Sequence, residues 1–351
     1  MDNKFKYSEE YKFISPGKSW IFVNPNHGCN LGCEYCVEQK DDWFKREVTS
    51  IYSVEETIKN LEESPLIIKN KSPLSFFNYS DPFLSENTGK LIEILDYLNS
   101  NNWTNKVGLI SKIHPGEKTL EKLSKFQNLK MGLFVSYANL NKGLEKASSK
   151  KRIQLMKDSH DLGIPTIDYI RPLVREWISK DKIKDLADKI NGHVDAVSLS
   201  GIRLTPEIIN NLEEKSLPTP VARTYLKKQR NNELNKEVIE IIEEVTGVPS
   251  FVHTSCAMSY LFNEPDYNSH DIRDKLKEDA CRFPCVPSQR EICYSRKCDT
   301  SNEEIKDILS KLNKKVNFER DNDVILLEGR DLKKEDISFL RHLIPEFVMK
   351  K

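Results

Sequence analysis

Trp20-Ile21-Phe22-Val23-Asn24-Pro25-Asn26-His27-Gly28-Cys29-Asn30-Leu31-Gly32-Cys33-Glu34-Tyr35-Cys36 joins a short apolar run to a loop that carries three cysteines. The first four residues have the composition of a buried strand, and residues 24–28 have that of a loop. The cysteines follow the spacing C-x3-C-x2-C. Three thiolates this close on one loop can wrap one corner of an iron–sulfur cubane, because thiolate is the preferred ligand of cluster iron. A [4Fe–4S] cluster held in this way keeps one iron free of protein ligands, and an open position on a metal can take a substrate or cofactor. A zinc knot is the alternative, with His27 as the candidate fourth ligand.

Beyond this loop the chain alternates short apolar runs with helical periodicity. Strands are predicted at 74–78, 107–110, 132–135, 166–170 and 196–199, and helices at 90–98, 120–126, 150–162 and 182–190. Such alternation implies parallel strands joined by right-handed crossovers. Counting Trp20 to Val23, six units end near residue 214. That is too few for a closed eight-stranded barrel, but it suits a partial one with its chemistry at the carboxyl ends of the strands. The predicted fold is α/β, a partial (β/α)6 barrel with a cysteine-containing C-terminal extension. The expected division is an N-terminal segment 1–17, a barrel 18–214 and an extension 215–351. Within the extension a helix is predicted at 233–245, a strand at 250–253, and a hairpin around Asp321-Asn322-Asp323. An amphipathic helix follows, with Ile337, Leu340, Leu343 and Ile344 inward.

The cysteine loop, with Tyr35 as the aromatic residue before the third cysteine and a strand ahead of the first, resembles the signature of the radical S-adenosylmethionine (SAM) superfamily. The resemblance implies that Cys29, Cys33 and Cys36 hold a [4Fe–4S] cluster whose free iron chelates the amino and carboxylate groups of SAM. Reductive cleavage would give methionine and a 5′-deoxyadenosyl radical that abstracts a hydrogen atom. Over roughly residues 18–205 the chain is closest in its motifs to the spore photoproduct lyase-like branch. Asn78-Tyr79-Ser80-Asp81-Pro82, after the second strand, departs from the common Gly-Gly-Glu segment but is similar to the Ser/Thr-Asp-Pro version of that branch, which implies contacts to the SAM amino group. Ser111-Lys112 resembles its Thr-Lys pair, the lysine meeting the SAM carboxylate. Ser136 would bond the ribose or the carboxylate, and Arg171, in Tyr169-Ile170-Arg171-Pro172-Leu173, would lie near the adenine.

A second cysteine group is unexpected. After Cys36 no cysteine occurs until Cys256, and Cys281, Cys285, Cys293 and Cys298 follow. Several radical SAM subfamilies carry auxiliary clusters in C-terminal extensions, although this spacing does not match the SPASM arrangement. Cys256, Cys281, Cys285 and Cys293 are the candidate ligands of a second [4Fe–4S] cluster. The alternatives are a zinc site including His253, or free thiols, with Cys256 as a catalytic hydrogen-atom donor facing the barrel mouth.

Composition narrows the partners. Lys+Arg and Asp+Glu both total 54, so there is no net charge to attract nucleic acid or an anionic membrane as a whole. No apolar run reaches the length of a membrane span, and the first residues lack the apolar stretch of a secretory signal. A cytoplasmic enzyme is expected, and in a reducing compartment clustered cysteines are metal ligands or catalytic groups rather than disulfides. The expected substrate is a small molecule or peptide, with flavodoxin or ferredoxin as electron donor. A nucleic acid lesion is the alternative, favoured by the branch resemblance and the basic stretch 223–230. A non-catalytic iron–sulfur or zinc-binding protein is the reading from another class.

Overall fold

The computed structural model describes residues 13–40, 47–220, 231–275, 281, 285–312 and 314–351. The basic stretch 223–230 and the start of the N-terminal segment lie outside the described residues.

Thirteen strands follow in chain order among the described residues: β1 (Ile14–Pro16), β2 (Ile21–Val23), β3 (Asn26–His27), β4 (Thr49–Ser50), β5 (Leu74–Phe76), β6 (Lys106–Ser111), β7 (Lys130–Val135), β8 (Thr166–Leu173), β9 (Ala196–Gly201), β10 (Ser250–Phe251), β11 (Asn317–Asp321), β12 (Val324–Glu328) and β13 (Phe347–Lys350). One eight-stranded sheet has the order β1-β2-β5-β6-β7-β8-β9-β10. Only β1 runs antiparallel within it, paired with β2, and every other neighbouring pair is parallel. Strands of a parallel sheet are buried on both faces, which is why they read as continuous apolar runs rather than alternating ones. Leu74 to Phe76 are all buried, as are Met131 to Val135.

The six predicted strand–helix units are present, and the predicted strand at 250–253 adds β10 to the same sheet beside β9. The crossover helices begin where the sequence supplies caps. Ser148 accepts from Lys151 N, Ser179 from Lys182 N and Thr205 from Ile208 N, each satisfying an amide that the first turn leaves unpaired. The helices Ser85–Ser100, Ser149–Asp161 and Lys180–Ile190 pack Leu91, Leu95, Leu155, Leu186 and their neighbours into one core with Leu109, Leu133 and Val135.

The opposite sheet face carries Trp20, Phe134, Ile167, Tyr169, Ala196 and Phe251, and it is covered by the helix Thr254–Leu261 through Ala257 and Met258. Two glycines make room on that face. A Cβ on Gly108 would lie 2.5 Å from the Trp20 ring, and one on Gly132 would lie 2.8 Å from Met258 Sδ.

The extension ends in a small sheet in which β11 and β12 form the predicted hairpin, turning at left-handed Asn322, and β13 adds parallel to β12. The helix Lys334–Arg341 and the turn after it bury Leu340, Leu343 and Ile344 as the pattern implied, with Ile337 partly buried. Among the described residues no helix is long and apolar enough to cross a membrane.

Candidate active site at the carboxyl edge of the sheet

The loop after β2 is built to turn sharply and stay closed. Asn24 is buried, and its Oδ1 accepts from Asn78 N (2.7 Å) and Tyr79 N (3.3 Å), which ties the ends of β2 and β5 together. Gly28 and Gly32 adopt φ of 89° and 65°, a region that costs glycine little and other residues more. Gln39 Nε2 donates to Cys33 O at 2.8 Å and Cys36 N to the same carbonyl at 3.3 Å, so the second half of the cysteine loop is stapled to itself.

Cys33 is buried and Cys29 and Cys36 are half-buried. The Cys29 thiol is pushed up to about 12, first by burial and then by the nearby charges of Asp81, Cys33 and Cys36, against a backbone hydrogen bond from Leu31 that lowers it. Cys33 is likewise raised by burial, with Lys112 and Arg152 pulling it down and Glu145 pushing it up. These are thiols that a metal would deprotonate. Among the described residues, the group of three metal-type donors whose atoms fall within 4.8 Å of one another is Cys256, Asp266 and His270, not Cys29, Cys33 and Cys36. Thiolates on one tetrahedral zinc lie about 3.8 Å apart, given Zn–S bonds of about 2.3 Å. Three thiolates on one short loop can each bind a different iron of a cluster. His27 is buried in the β3–β4 pair.

Lys112, at the end of β6, is the hub of a polar network. Its Nζ donates to Tyr35 Oη (3.0 Å), Ser136 Oγ (2.9 Å) and Glu145 Oε2 (2.9 Å), so all three ammonium donors are engaged. Tyr35 also donates to Glu145, and Arg152 Nη1 lies 2.6 Å from Glu145 Oε1 while donating to Ser136 O. Burial would raise the Glu145 carboxyl, but Lys112 and Arg152 outweigh it and hold it at about 2.

Asp81 is buried with its carboxylate fully used. It accepts from Ser111 Oγ (2.6 Å), Phe83 N (3.0 Å) and Lys112 N (2.8 Å). Asp81 and Ser111 thus latch the ends of β5 and β6 together. Ser80 Oγ accepts from Asn87, and the Asn78 side chain bonds Ser75. Arg171 donates to Tyr169 Oη at 3.1 Å. The Tyr169 oxygen raises Arg171 against its burial, with Glu38 and Cys36 also among its neighbouring charges, so this arginine faces the cysteine loop.

The second cysteine group lies at the other end of the barrel. Glu264 pairs with Lys106 and Lys130, the first residues of β6 and β7. Asn268 Nδ2 donates to Lys18 O at 2.9 Å, and His342 Nε2 reaches the same carbonyl at 3.3 Å, just ahead of β2. The segment after the helix Thr254–Leu261 therefore closes the amino-terminal end of the sheet. There His270 Nδ1 lies 2.7 Å from Asp266 Oδ2 and 3.8 Å from Cys256 Sγ, and the His253 ring stacks on His270 at 3.9 Å. Cys293 Sγ accepts from Asp266 N and Gln289 Nε2, both at 3.3 Å. Cys285 packs against the same apolar cluster as Cys256. Cys298 is elsewhere, 3.8 Å from Pro345 O beside the small terminal sheet. The donor role considered for Cys256 needs a thiol at the carboxyl mouth. Cys256 lies on the helix that turns back along the inner face of the sheet after β10, packed with Phe134 and Tyr169.

No family model and no curated relative matches the chain by sequence. Solved structures do. Spore photoproduct lyase complexed with dinucleoside spore photoproduct superposes with a TM-score of 0.53 at 16% identity, over 69% of this chain and 79% of that one. A variant of that lyase with bound AdoMet and dinucleoside spore photoproduct gives 0.52 at 15% identity, over 70% and 79%. The chain shares the fold of spore photoproduct lyase. Streptococcus suis SuiB bound to S-adenosylmethionine gives 0.46 at 15% identity, over 69% of this chain and 51% of that one.

This fold is the partial barrel that the strand–helix alternation implied. It brings Cys29, Cys33, Cys36, Asp81, Lys112, Ser136 and Arg171 to one edge. What the sequence pattern missed within this lyase-like frame is Glu145 and Arg152, which hold Lys112 and Ser136, and the Asp266–His270 pair.

Proposed function

We propose that the chain is a radical SAM enzyme in which Cys29, Cys33 and Cys36 hold a [4Fe–4S] cluster and SAM docks at its free iron. The observation that carries this is three buried or half-buried thiols on a glycine-turned loop at the carboxyl edge of a lyase-like, mostly parallel sheet. When bound, the reduced cluster supplies the electron that splits SAM into methionine and the 5′-deoxyadenosyl radical, which takes a hydrogen atom from the substrate.

The protein's own part is binding and orientation. Residues 78–81 border the SAM amino group with backbone carbonyls, since the Asp81 carboxylate is spent on the latch to Ser111 and Lys112. Lys112 and Ser136 meet the SAM carboxylate. Lys112 does so by exchanging one of its three internal hydrogen bonds for a charge-assisted one to the ligand. Tyr35 and Glu145 keep the ammonium aimed at the cysteine loop, and Arg171, beside Cys36, borders the adenine.

The substrate proposed is a small molecule or peptide, with a flavodoxin or ferredoxin as donor in the cytoplasm. A nucleic acid is the second reading, favoured by the fold likeness to a lyase bound to a dinucleoside. Binding of DNA whose affinity falls steeply with salt would select it.

After anaerobic reconstitution, the protein with SAM and dithionite is expected to form 5′-deoxyadenosine, and Cys33→Ala is expected to fall to background. Iron-loaded protein that forms none would make the chain a non-catalytic iron–sulfur protein.

A further inference from the structure

Six donor side chains gather at the amino-terminal end of the barrel, and the carboxyl-edge chemistry uses none of them. Asp266 links two of the cysteines, one directly and one through His270. Its backbone N–H donates to Cys293 Sγ, while its carboxylate holds His270 Nδ1 at 2.7 Å, with that ring nitrogen 3.8 Å from Cys256 Sγ. Cys256 and Cys285 pack against one apolar cluster that includes Trp20, Phe134 and Tyr169. Cys281 precedes Cys285 by four positions in the chain.

We propose that this end of the barrel holds a second [4Fe–4S] cluster, ligated by Cys256, Cys281, Cys285 and Cys293, with the Asp266–His270 pair packed behind its ligands. The competing occupant is a single zinc ion on Cys256, His270 and Asp266. The 3.8 Å separation of Cys256 Sγ from His270 Nδ1 is close to the ~3.6 Å edge of a tetrahedral site with Zn–S ~2.3 Å and Zn–N ~2.0–2.1 Å.

Two observations favour the cluster. The nitrogen that faces Cys256 is the one that Asp266 already holds, so zinc would have to break that pair rather than be supported by it. A ligating histidine ordinarily turns its other ring nitrogen to the carboxylate. Finally, the two N–H groups donated to Cys293 Sγ supply the hydrogen bonding to sulfur that tunes a cluster.

Four protein thiolates leave no iron open. The centre can accept one electron from a low-potential donor, passing from the 2+ to the 1+ state without making or breaking a bond, and it cannot dock SAM. Its position across the aromatic layer from the cysteine loop suits electron carriage rather than substrate binding.

The test is reconstitution of the Cys29→Ala/Cys33→Ala/Cys36→Ala variant, followed by iron, sulfide and zinc analysis and EPR after dithionite. The expected result is about four iron and four sulfide per chain, with a reduced-cluster signal that SAM does not alter. In parallel, Cys281→Ala/Cys285→Ala is expected to bring the wild-type count from about eight iron to about four. A triple variant that holds about one zinc and no iron overturns the proposal, as does an unchanged iron count in the double variant or a signal that moves with SAM. Neither readout depends on SAM cleavage, so failure of the radical SAM reading and failure of this one are separable.

Discussion

Glu145 lies at the centre of the charges that organise the carboxyl edge, although no local pattern marks it. Its partners Lys112 and Tyr35 are 33 and 110 positions away in the chain, and only the fold brings them together. Glu145→Gln keeps the shape but leaves Lys112 and the buried Arg152 without their shared counter-charge. Breaking a buried pair in this way costs about 3–5 kcal/mol. The expected outcome is a lower denaturant midpoint with an unchanged m-value.

His342 offers a test with pH. Burial pulls it down to about 4, against the hydrogen bond to Lys18 O that would raise it. The folded state therefore prefers the neutral ring, so its contribution is complete above the ordinary value near 6.5 and is lost as pH falls through 6.5 toward 4. The loss approaches about 3 kcal/mol. His342→Gln is expected to flatten that part of the stability–pH curve, and an unchanged slope would contradict the assignment. By contrast, the three cysteines and Tyr35 stand out in the sequence because their spacing is local.

At the scale of elements, the parallel strands could be read because burial on both faces writes a continuous apolar run. The helix Thr254–Leu261 could not. Its sequence Thr-Ser-Cys-Ala-Met-Ser-Tyr-Leu has small and polar residues on every face, yet Ser255, Ala257, Met258 and Ser259 are all buried against the inner sheet face. That close approach depends on glycine in the strands. Gly108→Ala drives a methyl against the Trp20 ring, 2.5 Å from its ideal position, and overpacking of this kind costs about 1–3 kcal/mol. Gly89, inside the helix Ser85–Ser100, has open space around its would-be Cβ. Gly89→Ala is expected to stabilise by about 0.5–1 kcal/mol, because alanine loses less chain entropy in a helix. Thermal unfolding of the two variants should move in opposite directions.

For the molecule as a whole, the decisive feature is that one curved parallel sheet has cysteines at both ends. The sequence separated the two groups and could not tell where on the sheet each would lie. The path of the chain after β10, back along the inner face, has no signature in composition. The proposed open iron belongs to the carboxyl end alone. The most direct check is EPR of the dithionite-reduced Cys281→Ala/Cys285→Ala variant, recorded before and after addition of SAM. The expected result is a cluster signal from Cys29, Cys33 and Cys36 that changes when SAM binds the free iron. A signal identical with and without SAM would contradict it.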